Sequence, residues 1–347
     1  MRLRRARPRG PRRALFSGAL KAAGGTLLLG VLGAGASTAE AATFAPQTGV
    51  SPTGDAVVFL GVNGGPNITP VHKQPALALV VNGITYLVDM GADTIQQLSA
   101  AGIPLATVRH AFITHHHSDH IAGYPALAAL GMVQQSSLVR LDVWGPPPLA
   151  QMQSALSTYW QADTASREAT GVSVPFKQML HGHEVRLPRT GTRRVFEDDN
   201  VVVSATRVQH GSDVPDAYAY RFDDKHAGRS VVFSGDTAPT DNLVTLARDA
   251  DLLVHEVIYL PGIDQLLQSI DPKVRPTLRR HLVESHTSTD QLPAVAKAAN
   301  VKRLALCHLG PSFIPAPVFR SALAQASATA GFAGEIIVPT ELDVVTL

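Results

Sequence analysis

Short apolar runs alternate with amphipathic stretches along this chain. Ala56–Gly61 is apolar and rich in β-branched residues, and it runs into Gly61-Val62-Asn63-Gly64-Gly65-Pro66, so it reads as a strand followed by a tight turn. Ala76–Val81 and Ile84–Asp89 read as a hairpin with Asn82-Gly83 at its tip, the residue pair favoured by two-residue turns. The second strand delivers Asp89 to a glycine turn. Thr94–Ala101 has helical periodicity, and Arg109–Thr114 is again a short apolar strand. Further strands are expected at Leu138–Trp144, Val201–Gln209, Tyr218–Phe222, Ser230–Ser234, Leu252–His255, Arg303–His308 and Glu335–Pro339, with helices at Pro148–Trp160, Asp241–Asp249, Ser288–Ala299 and Pro317–Ala330. No internal repeat is visible. Strands and helices interleaved in this order predict an α/β fold in which two sheets are sandwiched between helices.

Composition bounds this picture. With 347 residues, 45% apolar and 17% charged, the chain can bury a full core and reads as one large globular domain, placed at 55–347 after a Ser/Thr/Pro/Gly linker at 42–54. Its one cysteine, Cys307, can form no disulfide within the chain and reads as buried packing. Seven arginines crowd positions 2–13 and an apolar stretch, Ala22–Ala36, follows, which is the pattern of a signal peptide covering 1–41. Arg12-Arg13 before Ala14-Leu15-Phe16 resembles a twin-arginine signal, which implies the twin-arginine export machinery as a partner and a periplasmic or secreted destination. The whole chain carries a formal charge of +2, but without residues 1–41 it has 22 basic against 27 acidic residues, a charge of −5. An acidic mature protein argues against nucleic acid as the main partner, because such binders usually carry a basic face.

The chemistry is concentrated in His115-His116-His117-Ser118-Asp119-His120 at the C-terminal end of an expected strand, where ligands bind in α/β folds. Residues two apart in a strand end point the same way, so His115 and His117 can face one cation while His116 points elsewhere. Asp119 and His120 then open the next helix and remain for a second cation close by. A lone histidine is more often a satisfied structural residue, but four candidate ligands within six residues favour metal.

This run resembles the His-x-His-x-Asp-His signature of the metallo-β-lactamase superfamily. Asp89-Met90-Gly91 is similar to its upstream aspartate-glycine turn, Gln209-His210-Gly211 to its third histidine motif, Ser234-Gly235-Asp236-Thr237 to its bridging-aspartate motif and Leu306-Cys307-His308-Leu309 to its final histidine motif. The resemblance spans roughly Ala56–Leu347 and implies a four-layer αβ/βα sandwich of two mixed β-sheets flanked by helices. It also implies two divalent metal ions, with zinc the default. His115, His117 and His210 would hold one, Asp119, His120 and His308 the other, and Asp236 would bridge them, so that a shared water is acidified into the nucleophile without Ser or Cys. Asp119 would in addition accept a hydrogen bond from that nucleophile.

Three features narrow the branch: Phe59-Leu60-Gly61 with Gly64-Gly65-Pro66, then His255-Glu256, then Glu284-Ser285-His286-Thr287-Ser288 resemble ribonuclease Z and its arylsulfatase-like relatives. That likeness implies general-acid help from His286, oriented by Glu256. It also allows a homodimer. True ribonuclease Z binds transfer RNA, often through a glycine-rich basic arm. The corresponding region Gly145–Glu184 sets Arg167 and Lys177 against Asp163, Glu168 and Glu184, which is no clamp for a phosphate backbone. The expectation is therefore an arylsulfatase-like hydrolase of small sulfate or phosphate esters. The alternatives are a ribonuclease Z-like phosphodiesterase, a lactonase or β-lactamase attacking a carbonyl, and a non-enzymatic metal-binding scaffold. The segment Tyr259–Glu284, with Ile263, Leu266, Leu267 and Ile270 and the cations Arg275, Arg279, Arg280 and His281, is expected to be a lid or a solvated helix face.

Overall fold

The computed structural model describes residues 54–131, 140–171 and 175–347; the expected export signal at 1–41 lies outside the described residues. Strands β1 (Ala56–Gly61), β2 (Ala76–Val81), β3 (Ile84–Val88), β4 (Val108–Phe112), β5 (Leu141–Gly145) and β6 (Leu180–Glu184) form one sheet. The second contains β7 (Arg193–Glu197), β8 (Val201–His210), β9 (Val214–Asp224), β10 (Ser230–Phe233), β11 (Leu252–Ile258), β12 (Arg303–Gly310) and β13 (Glu335–Ile337); β14 (Val344–Thr346) returns to the first and pairs with β1. Among the described residues each sheet has seven strands and is mixed. β3 to β6 run parallel in one and β10 to β13 in the other, with antiparallel strands completing each.

Both faces of the first sheet are covered at β1 and β2, which is why these strands are nearly continuous apolar runs instead of alternating ones. On β1, Val57 and Phe59 pack between the sheets, while Val58 and Leu60 face the helices. The expected hairpin is present: Val81 pairs with Ile84, and Asn82 and Gly83 have φ of 48° and 76°, the two left-handed residues a type I′ turn requires. The helices are α1 (Thr94–Ala100), α2 (Ser118–Ile121), α3 (Tyr124–Gly131), α4 (Leu149–Tyr159), α5 (Gln161–Ala169), α6 (Phe176–Met179), α7 (Asp241–Leu246), α8 (Leu260–Gln268), α9 (Arg275–Ser285), α10 (Leu292–Ala298) and α11 (Ala316–Ala330). Residues of α1, α3, α4 and α6 share a core with the outer face of the first sheet, and those of α7, α10 and α11 belong to the larger core centred on the second.

The sequence pattern does not reveal the polar strands β6 and β7, which lie at the edge of each sheet and pair on one side only. Segment Tyr259–Glu284 is a helical hairpin. Ile263 and Leu267 of α8 pack with Ile258 and against Leu278 and Leu282 of α9, and Asp264 holds Arg279 at 2.6 Å. Arg275 donates to the carbonyls of Gln268 and Ile270, so two cations of the basic cluster are internal struts.

The turn after β3 is stitched to the helices after β4. Met90 N–H donates to the His120 carbonyl and Gly123 N–H to the Met90 carbonyl. A Cβ at residue 123 would lie 2.0 Å from the Gly91 carbonyl oxygen, so only glycine lets the two segments approach this closely. Gly123→Ala is expected to lower stability by about 1–3 kcal/mol, the usual cost of overpacking, measured by denaturant unfolding; an unchanged midpoint would contradict this contact.

Candidate metal centre

The histidine run begins where β4 ends, and α2 starts at Ser118, so the chain turns from strand to helix inside the motif. His116 points away and its Nε2 is 2.9 Å from the Pro146 carbonyl, as expected from strand alternation. The donor atoms of His115, His117 and His210 lie within 4.8 Å of one another, and so do those of Asp119, His120 and His308. Both sets expected from the motifs are thus assembled. Asp236 stands between them: its Oδ2 lies 3.9 Å from His115 Nε2, 3.8 Å from His210 Nε2, 3.4 Å from His120 Nε2 and 3.1 Å from His308 Nε2.

Backbone devices aim these side chains. The register of β11 and β12 slips beside His308, where Glu256 pairs with Cys307 and Val257 with Leu309, so His308 is the extra residue of a bulge. Its φ of 45° is left-handed, a strained conformation for histidine that swings the ring out of the sheet. Asp89 leaves β3 with φ of 59°, and its carboxylate accepts from Thr114 N–H at 2.8 Å, Thr114 Oγ1 at 2.7 Å and His120 Nδ1 at 2.7 Å. Thr114 Oγ1, its proton given to Asp89, accepts from His115 Nδ1 at 3.0 Å. His210 Nδ1 donates to the Ser285 carbonyl at the end of α9. In His115, His120 and His210 the proton is thereby fixed on Nδ1, and the Nε2 lone pair faces the cluster.

The donor set suits divalent cations. His115 Nε2 and His120 Nε2 are buried without a hydrogen-bond partner, an unfavourable state that a cation relieves. Burial holds His115 well below the usual imidazole range and pulls His210 down to about 4, so both favour the neutral, ligating form. Burial opposes ionisation of Asp119, yet His308 beside it and the neighbouring His120 bring its carboxyl down to about 2. Asp236 is likewise pulled well below the carboxylate range against its burial, by His308 and His120. His120 is driven upward despite burial because Asp236 and Asp89 face it: the two carboxylates demand compensating positive charge at this point.

His286 and Glu256 adjoin the cluster. Glu256 Oε1 accepts from Thr237 N–H at 3.0 Å and from Thr287 N–H at 3.1 Å, and lies 3.1 Å from His286 Nδ1. The His286 ring stacks on His308 with centroids 5.5 Å apart. Burial, with Asp236 adding to it, pushes the Glu256 carboxyl well up, and burial takes His286 down to about 4. Sequence reasoning placed Asp89 only in a turn and assigned nothing to Thr114 or the Ser285 carbonyl; the aspartate-glycine turn was the one signal for Asp89.

The sequence profile described as "Beta-lactamase superfamily domain" matches residues 85–309. A ribonuclease Z of Synechococcus is 30% identical over 310 residues, covering 75% of this chain and 86% of that protein. A ribonuclease Z of Pyrococcus abyssi is 26% identical over 297 residues, covering 74% and 87%. Among solved structures, the short form of human tRNase Z superposes with a TM-score of 0.58 at 21% identity over 84% of this chain and 98% of that one. A metallo-beta-lactamase fold protein from Bacillus subtilis gives 0.58 at 18% identity over 84% and 99%. These matches agree with the two-sheet sandwich described above.

The relatives overturn the expectation against nucleic acid, since their names make them ribonucleases. Net charge misled because it sums the whole surface, whereas a phosphodiester is met locally, at a centre able to gather cations. They also favour the phosphodiesterase alternative over the arylsulfatase reading. Asp89→Asn, which weakens the acceptor orienting His120, is expected to lower zinc affinity about 10–100-fold in chelator competition; wild-type affinity would contradict the role given to Asp89.

Proposed function

Because the chain belongs to the beta-lactamase superfamily, as a metal-dependent hydrolase acting on ester bonds, we propose that it is a two-cation phosphodiesterase of the ribonuclease Z type, with RNA as its substrate class. The observation that carries this reading is the placement of one Asp236 oxygen within 3.9 Å of ring nitrogens from both histidine sets. His115, His117 and His210 would hold one cation and Asp119, His120 and His308 the other, with Asp236 shared. When bound, such a pair supplies Lewis acidity towards phosphoryl oxygens and acidifies a water.

The remaining chemistry belongs to the chain itself. Asp119, whose carboxyl is brought down to about 2, is an anion at neutral pH and can take a hydrogen bond from the attacking water. Burial pushes the Glu256 carboxyl well up, and the protonated carboxyl donates to His286 Nδ1, so a neutral His286 carries its proton on Nε2, the nitrogen left to deliver it. That proton goes to the departing ester oxygen. Ser285 joins this arrangement to the helical hairpin: its carbonyl fixes His210 while its neighbour His286 acts on the leaving group.

The reading is tested with zinc-loaded protein on bis(p-nitrophenyl) phosphate, p-nitrophenyl sulfate and an RNA carrying a 3′ trailer. Turnover of the phosphodiester and of the RNA above the sulfate is expected, and Asp236→Ala should reduce both to background with the fold kept. Preference for sulfate, or full activity of Asp236→Ala, would overturn it. His286→Ala should cost about 10²–10⁴-fold on diesters with poor leaving groups and far less on nitrophenyl esters; equal losses on both would remove the general-acid role.

A further inference from the structure

We infer that the main-chain N–H of Gly65 binds a non-bridging oxygen of the substrate, and that Asn63 is the residue that positions it. This deepens the phosphodiesterase reading and rests on it. Gly65 N–H donates to His308 Nε2 at 3.1 Å. That same nitrogen lies 3.1 Å from Asp236 Oδ2 and 3.5 Å from Asp119 Oδ2, so it is the one turned towards the cluster. A neutral imidazole has one lone pair, and here it has two claimants. Once a cation takes the lone pair, the Gly65 N–H is left without an acceptor beside the spot where substrate oxygens approach.

The loop is built to keep this donor in place. Asn63 N–H donates to the Lys73 carbonyl, Leu309 N–H donates to the Val62 carbonyl and Gly64 N–H to the Leu309 carbonyl, which fastens the loop to the strand carrying His308. The buried Asn63 side chain donates from Nδ2 to the carbonyls of Gly65, at 3.2 Å, and of Asn67, at 2.9 Å. Gly65 has φ of 89°, and a Cβ there would meet no atom within 4 Å, so open space adjoins the amide. A Cβ at Gly64 would lie 2.7 Å from the Leu309 backbone, so only glycine permits that approach. Fixed main-chain donors of this kind stabilise charge developing on a phosphoryl oxygen, and the loss of one commonly costs about 10²–10³ in kcat.

The test uses the chain labelled with glycine that is both carbonyl-13C and amide-15N. Only two Gly-Gly pairs occur in the sequence, Gly24-Gly25 and Gly64-Gly65, so the Gly65 amide can be identified by carbonyl correlation. Zinc loading should move the Gly65 proton upfield as His308 is withdrawn, and saturating inorganic phosphate should move it back downfield. In Asn63→Ala the zinc content should stay at the wild-type level, the phosphate-driven shift should vanish and kcat should fall about 10²-fold with KM less affected. If calorimetry shows phosphate bound while Gly65 stays unmoved, the donor is overturned and the phosphodiesterase reading stands. If Asn63→Ala keeps the full shift, the positioning role is overturned. If the zinc-loaded protein binds no phosphate, both readings fall.

Discussion

The structure depends on how the Asp236 carboxylate is compensated. A buried carboxylate is costly unless charge or donors surround it, and Asp236 sits 2% exposed among four imidazoles with one oxygen lacking any hydrogen bond. Those imidazoles come from both sheets. The strand ends of β4, β8 and β12 must converge on one point, and the two sheets must pack face to face at fixed separation, for these groups to meet. Asp236 drives the imidazoles of His120 and His308 upward against their burial, the same demand for positive charge that two divalent cations answer more completely.

Convergence is achieved by departures from regular structure. His308 occupies a bulge and Asp89 a left-handed turn, both conformations that a free chain avoids. Each is held by neighbours: Asp89 by three donors, and His308 by the loop from Val62 to Gly65 that pairs with its strand. The helical hairpin of α8 and α9 adds a wall whose last residue fixes His210, so the outer elements reach the centre through one carbonyl. Strain at the centre is paid by packing around it.

Much of this was legible in the residues. Seven ligand-type residues within short motifs, and glycines at each tight approach, mark the centre, because metal chemistry requires particular side chains at particular strand ends. The apolar strands were legible for the same reason that their burial is complete on both faces. What could not be read was carried by the backbone or by long-range contact. β6 and β7 are polar because edge strands need no buried face, Thr114 meets Asp89 across 25 residues, and the Gly65 amide has no side chain to announce it. Net charge pointed away from a nucleic-acid substrate, and only the local centre and the ribonuclease relatives point towards one.

Anomalous diffraction from zinc-soaked crystals decides whether the Asp236 carboxylate joins two cation sites. Two peaks per chain are expected, one enclosed by His115, His117 and His210 and one by Asp119, His120 and His308, with Asp236 between them. A single peak, or two peaks away from Asp236, would contradict this.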